Sequence, residues 1–110
     1  TLSDFFNIVR DNEQILIYQA HPYRPGHSIA NPDLLDGLEI YNGNPRHNSR
    51  NDKARAFARE HQLLFLSGSD FHQAGDEASG GIITKKRITC PVELIHTLKN
   101  LNFESLLEEK

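Results

Sequence analysis

The chain has 110 residues and a formal net charge of −3. That is enough for a single domain, residues 1–110, with a modest core, and too little positive charge to draw nucleic acid to the whole surface, so a nucleic-acid partner is unsupported by charge. No apolar run reaches membrane-spanning length and no leader pattern opens the chain, so the expectation is a cytoplasmic protein with no membrane partner. The one cysteine, Cys90, excludes an internal disulfide and any paired-cysteine metal motif, and beside Pro91 it reads as an inert residue at a helix start. Methionine is absent altogether. Thr1 is therefore not expected to be a natural start, and the chain is expected to be a piece of a longer protein.

Residues 2–12 predict a helix with Ser3 as N-cap and an apolar stripe of Phe5, Phe6, Ile8 and Val9. Residues 15–20 form a near-continuous apolar run ending at His21-Pro22, the pattern of a buried parallel strand. A loop over 23–32, marked by Pro25, Gly26, Asn31 and Pro32, leads to a short helical turn at 33–35. Residues 38–42 read as a second strand, stopped by Gly43-Asn44-Pro45. A helix capped by Ser49 or Asn51 then runs to His61, with Ala54, Phe57 and Ala58 facing inward. Residues 63–67 are the third strand, 73–79 a polar loop and 81–87 a fourth strand. Pro91 opens a helix carrying Leu94, Ile95 and Leu98, and 103–109 predicts a last short helix. Alternation of strands with helices implies an α/β fold of parallel βα units, about four strands with flanking helices. Such a sheet sets all strand carboxyl ends on one side, where ligand sites of α/β folds lie.

The polar residues of interest fall on that side. Asp70 and His72 stand two apart where the third strand gives out; if extended, they share one face and aim at one point. A carboxylate beside an imidazole suits Zn²⁺, Mn²⁺ or Fe; the bland alternative is a turn aspartate next to a surface histidine. His21 ends the first strand, with Pro22 biasing it toward an extended backbone; it is either a ligand or a histidine bonded to a carbonyl. Glu39 lies between Leu38 and Ile40, where a carboxylate is costly unless paired or metal-bound. It reads as a ligand, a group orienting one, or an acid on a pleat face open to water. Arg24, three residues after His21, offers a fork for phosphate or is an exposed loop arginine. Arg46, His47, Arg50, Lys53, Arg55 and Arg59 form a basic run that could hold an anion, though a solvated face balanced by Asp52 and Glu60 is the commoner outcome. His27 follows His21 in the same loop, toward the cleft, while His61 and His96 read as structural. No nucleophile-elbow, phosphate-loop, zincin or dinucleotide motif occurs.

Taken together, Ala20-His21-Pro22-Tyr23-Arg24, Gly37-Leu38-Glu39-Ile40-Tyr41-Asn42 and Gly68-Ser69-Asp70-Phe71-His72 resemble the later motifs of the PHP (polymerase and histidinol phosphatase) family of metal-dependent phosphoesterases. The middle piece is similar to the PHP-associated C-terminal region. The resemblance covers residues 15–85. It implies the later part of a distorted βα barrel, with a multinuclear centre at the strands' carboxyl ends. On this likeness His21, Asp70 and His72 hold metal, Asp70 and His72 are the catalytic pair, and Arg24 and Glu39 face substrate. The family's opening HxH motif and the ligands that follow it are absent, since no HxH occurs anywhere in the chain.

The resemblance thus implies the C-terminal part of a hydrolase that uses two or three divalent ions (Zn, Mn or Fe) in the full-length protein. Metal-activated hydroxide would attack a phosphorylated small molecule or a nucleotide. Arg24 would steady phosphate charge, and His72 or a residue of the absent half would protonate the leaving group. The isolated chain is expected to be inactive. A half-barrel also leaves strand edges open, which favours a homodimer. Two other functions fit the same residues: a non-catalytic PHP-like structural or partner-binding module, and hydrolysis of a non-phosphate bond by a similar centre.

Overall fold

The computed structural model describes residues 1–106, and its centre is a three-stranded parallel sheet in the order β1-β2-β3. These strands are Tyr18–Gln19 (β1), Gly37–Asn42 (β2) and Leu64–Gly68 (β3). The middle strand is the most buried: Leu38 is 0 % exposed, and Leu35, Ile40 and Ala58 join it in the core. Helix α2, Asn51–Glu60, lies on this strand through Ala54 and Ala58, whose small side chains let the helix axis come close. The fold is α/β, as expected.

Helix α1 spans Leu2–Val9 and is capped by Thr1, not Ser3. The Thr1 hydroxyl accepts from the Asp4 N–H at 3.1 Å while the Asp4 carboxylate takes the Thr1 ammonium at 3.3 Å, a reciprocal box that Ser3 has no matching acid to form. The helix also stops at Val9, three residues short of the expected end, and Asn12 then turns the chain by accepting from the Gln14 N–H. The first strand is only two residues long. Upstream of it, Ile17 donates to the Asp36 carboxylate at 2.6 Å and its carbonyl accepts from Asp36 and Gly37, so a side chain replaces part of the ladder. A tight 3₁₀ turn, Pro32–Leu34, sits where a helical turn was expected.

Neither Ser49 nor Asn51 caps α2; Arg50 does, in a left-handed backbone (φ 49°) without a side-chain cap bond. Both candidate caps are engaged elsewhere, Ser49 with Arg24 and Asn51 with the Asn42 backbone.

The expected fourth parallel strand is a correction. Gly81–Thr84 (β4) pairs antiparallel with Phe103–Leu106 (β5) in a separate two-stranded sheet. The helix expected over 103–109 is therefore a strand as far as Leu106, and 107–109 lies outside the described residues. Long-range contact outweighed the helix propensity of this stretch: the Phe103 ring meets Phe65 of β3 edge-on at 6.1 Å. Between β4 and β5, helix α3 spans Pro91–Lys99 and starts at Pro91 as predicted, with Cys90 exposed at its cap. No helix among the described residues is long and apolar enough to cross a membrane.

Because Leu38 is wholly enclosed, Leu38→Ala should cost about 3 kcal/mol of stability, read as a lowered midpoint in urea unfolding followed by circular dichroism. A loss below about 1 kcal/mol would mean that the β2–α2 core is looser than its burial indicates.

Candidate functional site

An irregularity in β2 sets up the site. The ladder to β3 pairs Glu39 with Leu66 and then Tyr41 with Ser67, so Ile40 is an extra residue. In a regular strand, positions three apart face opposite ways; a bulge resets the alternation. Here it brings the Asn42 amide to the Glu39 carboxylate, Nδ2 donating to Oε2 at 3.0 Å. The same oxygen accepts from the His21 backbone N–H at 2.8 Å, so two donors satisfy a carboxylate that is only 8 % exposed. Its other oxygen lies against Gly68, where any Cβ would collide with it. Glu39 therefore does not sit on a pleat open to water. It ties the end of β1 to β2 and β3.

His21 leaves β1 with φ 29°, not the extended backbone that Pro22 suggested. The bond to Glu39 holds this uncommon conformation in place. Its Nδ1 is buried with no hydrogen-bond partner among the described residues, and the ring meets His27 edge-on at 4.8 Å. His27 is thus placed beside His21, as its loop position suggested.

Arg24 turns back over the strand ends. Its Nη2 donates to Asp70 Oδ2 at 2.7 Å, to Ser49 Oγ at 3.1 Å and to Asn42 Oδ1 at 3.3 Å. It is not an exposed loop arginine; both it and Asp70 are largely buried. Its Nε is buried with no partner among the described residues. Burial alone would push the Asp70 carboxyl up, but the Arg24 hydrogen bond and charge, with Asn42 and His72 beside it, hold it below the usual carboxylate range.

Asp70 and His72 are close together, though not for the strand reason. Strand β3 ends at Gly68, and Asp70 has a left-handed backbone (φ 50°). What joins them is the His72 ring: Nδ1 lies 2.8 Å from the Asp70 carbonyl and 3.3 Å from Asp70 Oδ1. A carbonyl only accepts, so Nδ1 carries the hydrogen and the lone pair of a neutral ring falls on Nε2. Asn44 also donates to the Asp70 carbonyl at 3.2 Å.

A residue with no signal in the sequence anchors this loop. Asp76, 1 % exposed, takes Arg46 through both oxygens at 2.9 and 2.6 Å, and also accepts from the His72 and Gln73 backbone N–H groups. The Arg46 bond, then the two backbone donors, hold its carboxyl well below the usual range. Arg46 is thereby removed from the expected basic run, while His47, Arg50, Lys53, Arg55 and Arg59 remain exposed. His61 stacks on Phe57 at the end of α2, with ring centroids 4.2 Å apart.

The five predicted site residues thus gather at the carboxyl ends of the parallel strands: His21 with Glu39, Arg24 with Asp70, and Asp70 with His72. Asn44, Ser49 and Asp76 join them. In the sequence Ser49 signals only a helix cap, and an Arg46–Asp76 pairing thirty residues apart leaves no local trace. Among the described residues, no three His, Cys, Asp or Glu side chains form a metal-holding group. The donor types of His21, Asp70 and His72 are ones that divalent cations take, and the His21 Nδ1 is buried without a hydrogen-bond partner among the described residues. Asp70 is already shared between Arg24 and His72, so a cation at this end of the sheet would need further ligands. Compared with known proteins, the chain matches no family model, no curated protein and no solved structure.

Asp70 and Asp76 both have folded-state values below the unfolded value of about 3.9. Each therefore stabilises the fold fully above about pH 4, and this contribution disappears as pH falls through the folded value. Asp76→Asn should lower the melting temperature at pH 7 by several degrees and flatten its decline below about pH 4, measured by circular dichroism melts across that range. An acid limb as steep as that of the parent chain would show that Asp76 is not the titrating anchor.

Proposed function

We propose that this chain is the C-terminal part of a PHP-type metal-dependent phosphoesterase, its sheet forming the later part of a distorted βα barrel. The observation that carries the reading is the convergence of the late-motif residues His21, Arg24, Glu39, Asp70 and His72 at the carboxyl ends of parallel strands. In the complete protein, His21, Asp70 and His72 would hold divalent ions together with ligands from the upstream half. Those ions, when bound, supply a hydroxide near neutral pH and neutralise phosphate charge.

The chain's own groups then have separate tasks. Glu39 fixes the backbone of His21, and so the origin of its ring. The Asp70 carbonyl holds the His72 tautomer, leaving Nε2 as the nitrogen able to accept a bond or a proton. Arg24 keeps Asp70 ionised, and its Nη2, bonded to Asp70, Ser49 and Asn42, holds that carboxylate in place at the strand ends. The Arg46–Asp76 clasp holds the loop from which His72 projects.

One observation favours a second reading. Because no three-donor group forms among the described residues, a non-catalytic PHP-like module using the same polar network as a structural brace is the alternative.

The full-length protein, loaded with Mn²⁺ or Zn²⁺, should hydrolyse phosphate monoesters, and Asp70→Ala or His72→Ala should lower kcat/KM by about 100-fold or more. Bound metal, measured by elemental analysis, should fall in both variants. No hydrolysis at full metal loading removes the phosphoesterase reading; stoichiometric absence of metal selects the brace.

A further inference from the structure

The chain exposes more surface than its mass calls for. A compact monomer of 12.5 kDa exposes about 6,200 Å², whereas this chain exposes 7334 Å². The difference, roughly 1,100 Å², is at least what one side of a stable interface covers, about 800 Å². Much of the exposed large apolar side-chain surface lies on two helices: Leu2, Phe5 and Ile8 on α1, and Val92 and Leu94 on α3. No residue of α1 is buried at all. Phe6 and Val9 are half-buried, but Leu2, Phe5 and Ile8 stay open to water, and an amphipathic helix with apolar residues left exposed marks a contact surface.

The two helices flank a groove of about 750 Å³. Ile8, 81 % exposed, stands at one lip as a knob, and Val92 and Ile95 line the other side. Asp11 and Glu13 make the Ile8 lip acidic; His96 and Lys99 make the α3 lip basic. The groove continues into an apolar hollow of about 240 Å³ with which it shares Gln14 and Ile95.

A surface that pairs with itself across a two-fold axis must carry both knob and hollow, and both signs of charge. This one does. We infer that the α1–α3 face is an interface between two copies of this chain. In the pair, Ile8 of each copy enters the groove of the other, and the Asp11–Glu13 lip meets Lys99. The contact uses neither His21 nor the Asp70–His72 pair, so its test and that of the phosphoesterase reading fail separately. It also differs from pairing along an open strand edge.

Sedimentation equilibrium of the 110-residue chain over about 1–100 µM should give twice the monomer mass at the upper end. Ile8→Glu should weaken dimerisation at least about tenfold, with an unchanged circular dichroism spectrum because the side chain is already in water. Lys99→Glu should weaken it as well, and Asp11→Lys combined with Lys99→Glu should restore it by exchanging the charges across the axis. A monomer at every concentration overturns the inference. So does a dimer that Ile8→Glu leaves intact, since its contact then lies elsewhere, and failure of the charge exchange to restore pairing overturns the two-fold arrangement.

Discussion

A carboxylate inside the central strand of a parallel sheet must be given donors, and meeting that requirement organises this protein. Glu39 takes its donors from the His21 backbone and the Asn42 side chain. The first contact draws the loop after β1 over the sheet, and the second depends on the bulge at Ile40. Left unpaired, a buried acid would oppose folding by several kcal/mol. Paired in this way, it connects three segments that are distant in sequence. The absence of a side chain at Gly68 completes the seat, because the other Glu39 oxygen occupies the space a Cβ would need.

From Glu39 the network spreads in one direction, toward the site. Asn42 passes it to Arg24 and Asn44, and these two hold Asp70 through its carboxylate and its carbonyl. His72 is then held from both sides, by Asp70 at the ring and by Asp76 at the backbone. His21 and Asp70 both have left-handed backbones, which non-glycine residues adopt at a cost of about 1–3 kcal/mol. Both are fixed by hydrogen bonds from this network, and Arg50, Gln62, Ala78 and Leu101 adopt positive φ elsewhere in the chain.

The residues of the site were largely legible in the sequence, while their arrangement was not. A histidine before proline at a strand end, an acid within an apolar strand, and Asp-Phe-His after another strand were visible because chemistry-bearing side chains interrupt apolar runs. Asp70 and His72 meet for a reason that strand geometry does not supply: an extended strand would aim both at one face, whereas the chain has already left the strand and the ring folds back onto the Asp70 carbonyl. Asp76 gave no signal, because its importance comes entirely from Arg46, a residue remote in the chain. Ser49 and Asn51 carried a true signal of the wrong kind. Their cap-forming oxygens were present but were recruited by Arg24 and Asn42.

Hydrophobic periodicity by itself determined that the core is a parallel sheet flanked by helices, with its polar residues at one end. Apolar runs of strand length and the α2 and α3 stripes can be buried in few other ways. Tertiary structure alone decided the bulge in β2, the two-residue length of β1, and the fate of the last segment. That segment has the composition of a helix and forms a strand as far as Leu106, because β4 offers a hydrogen-bonding edge and Phe65 offers a ring for Phe103. Local propensity differs between such states by a fraction of a kcal/mol per residue, and a single ring contact with a ladder of backbone bonds exceeds it.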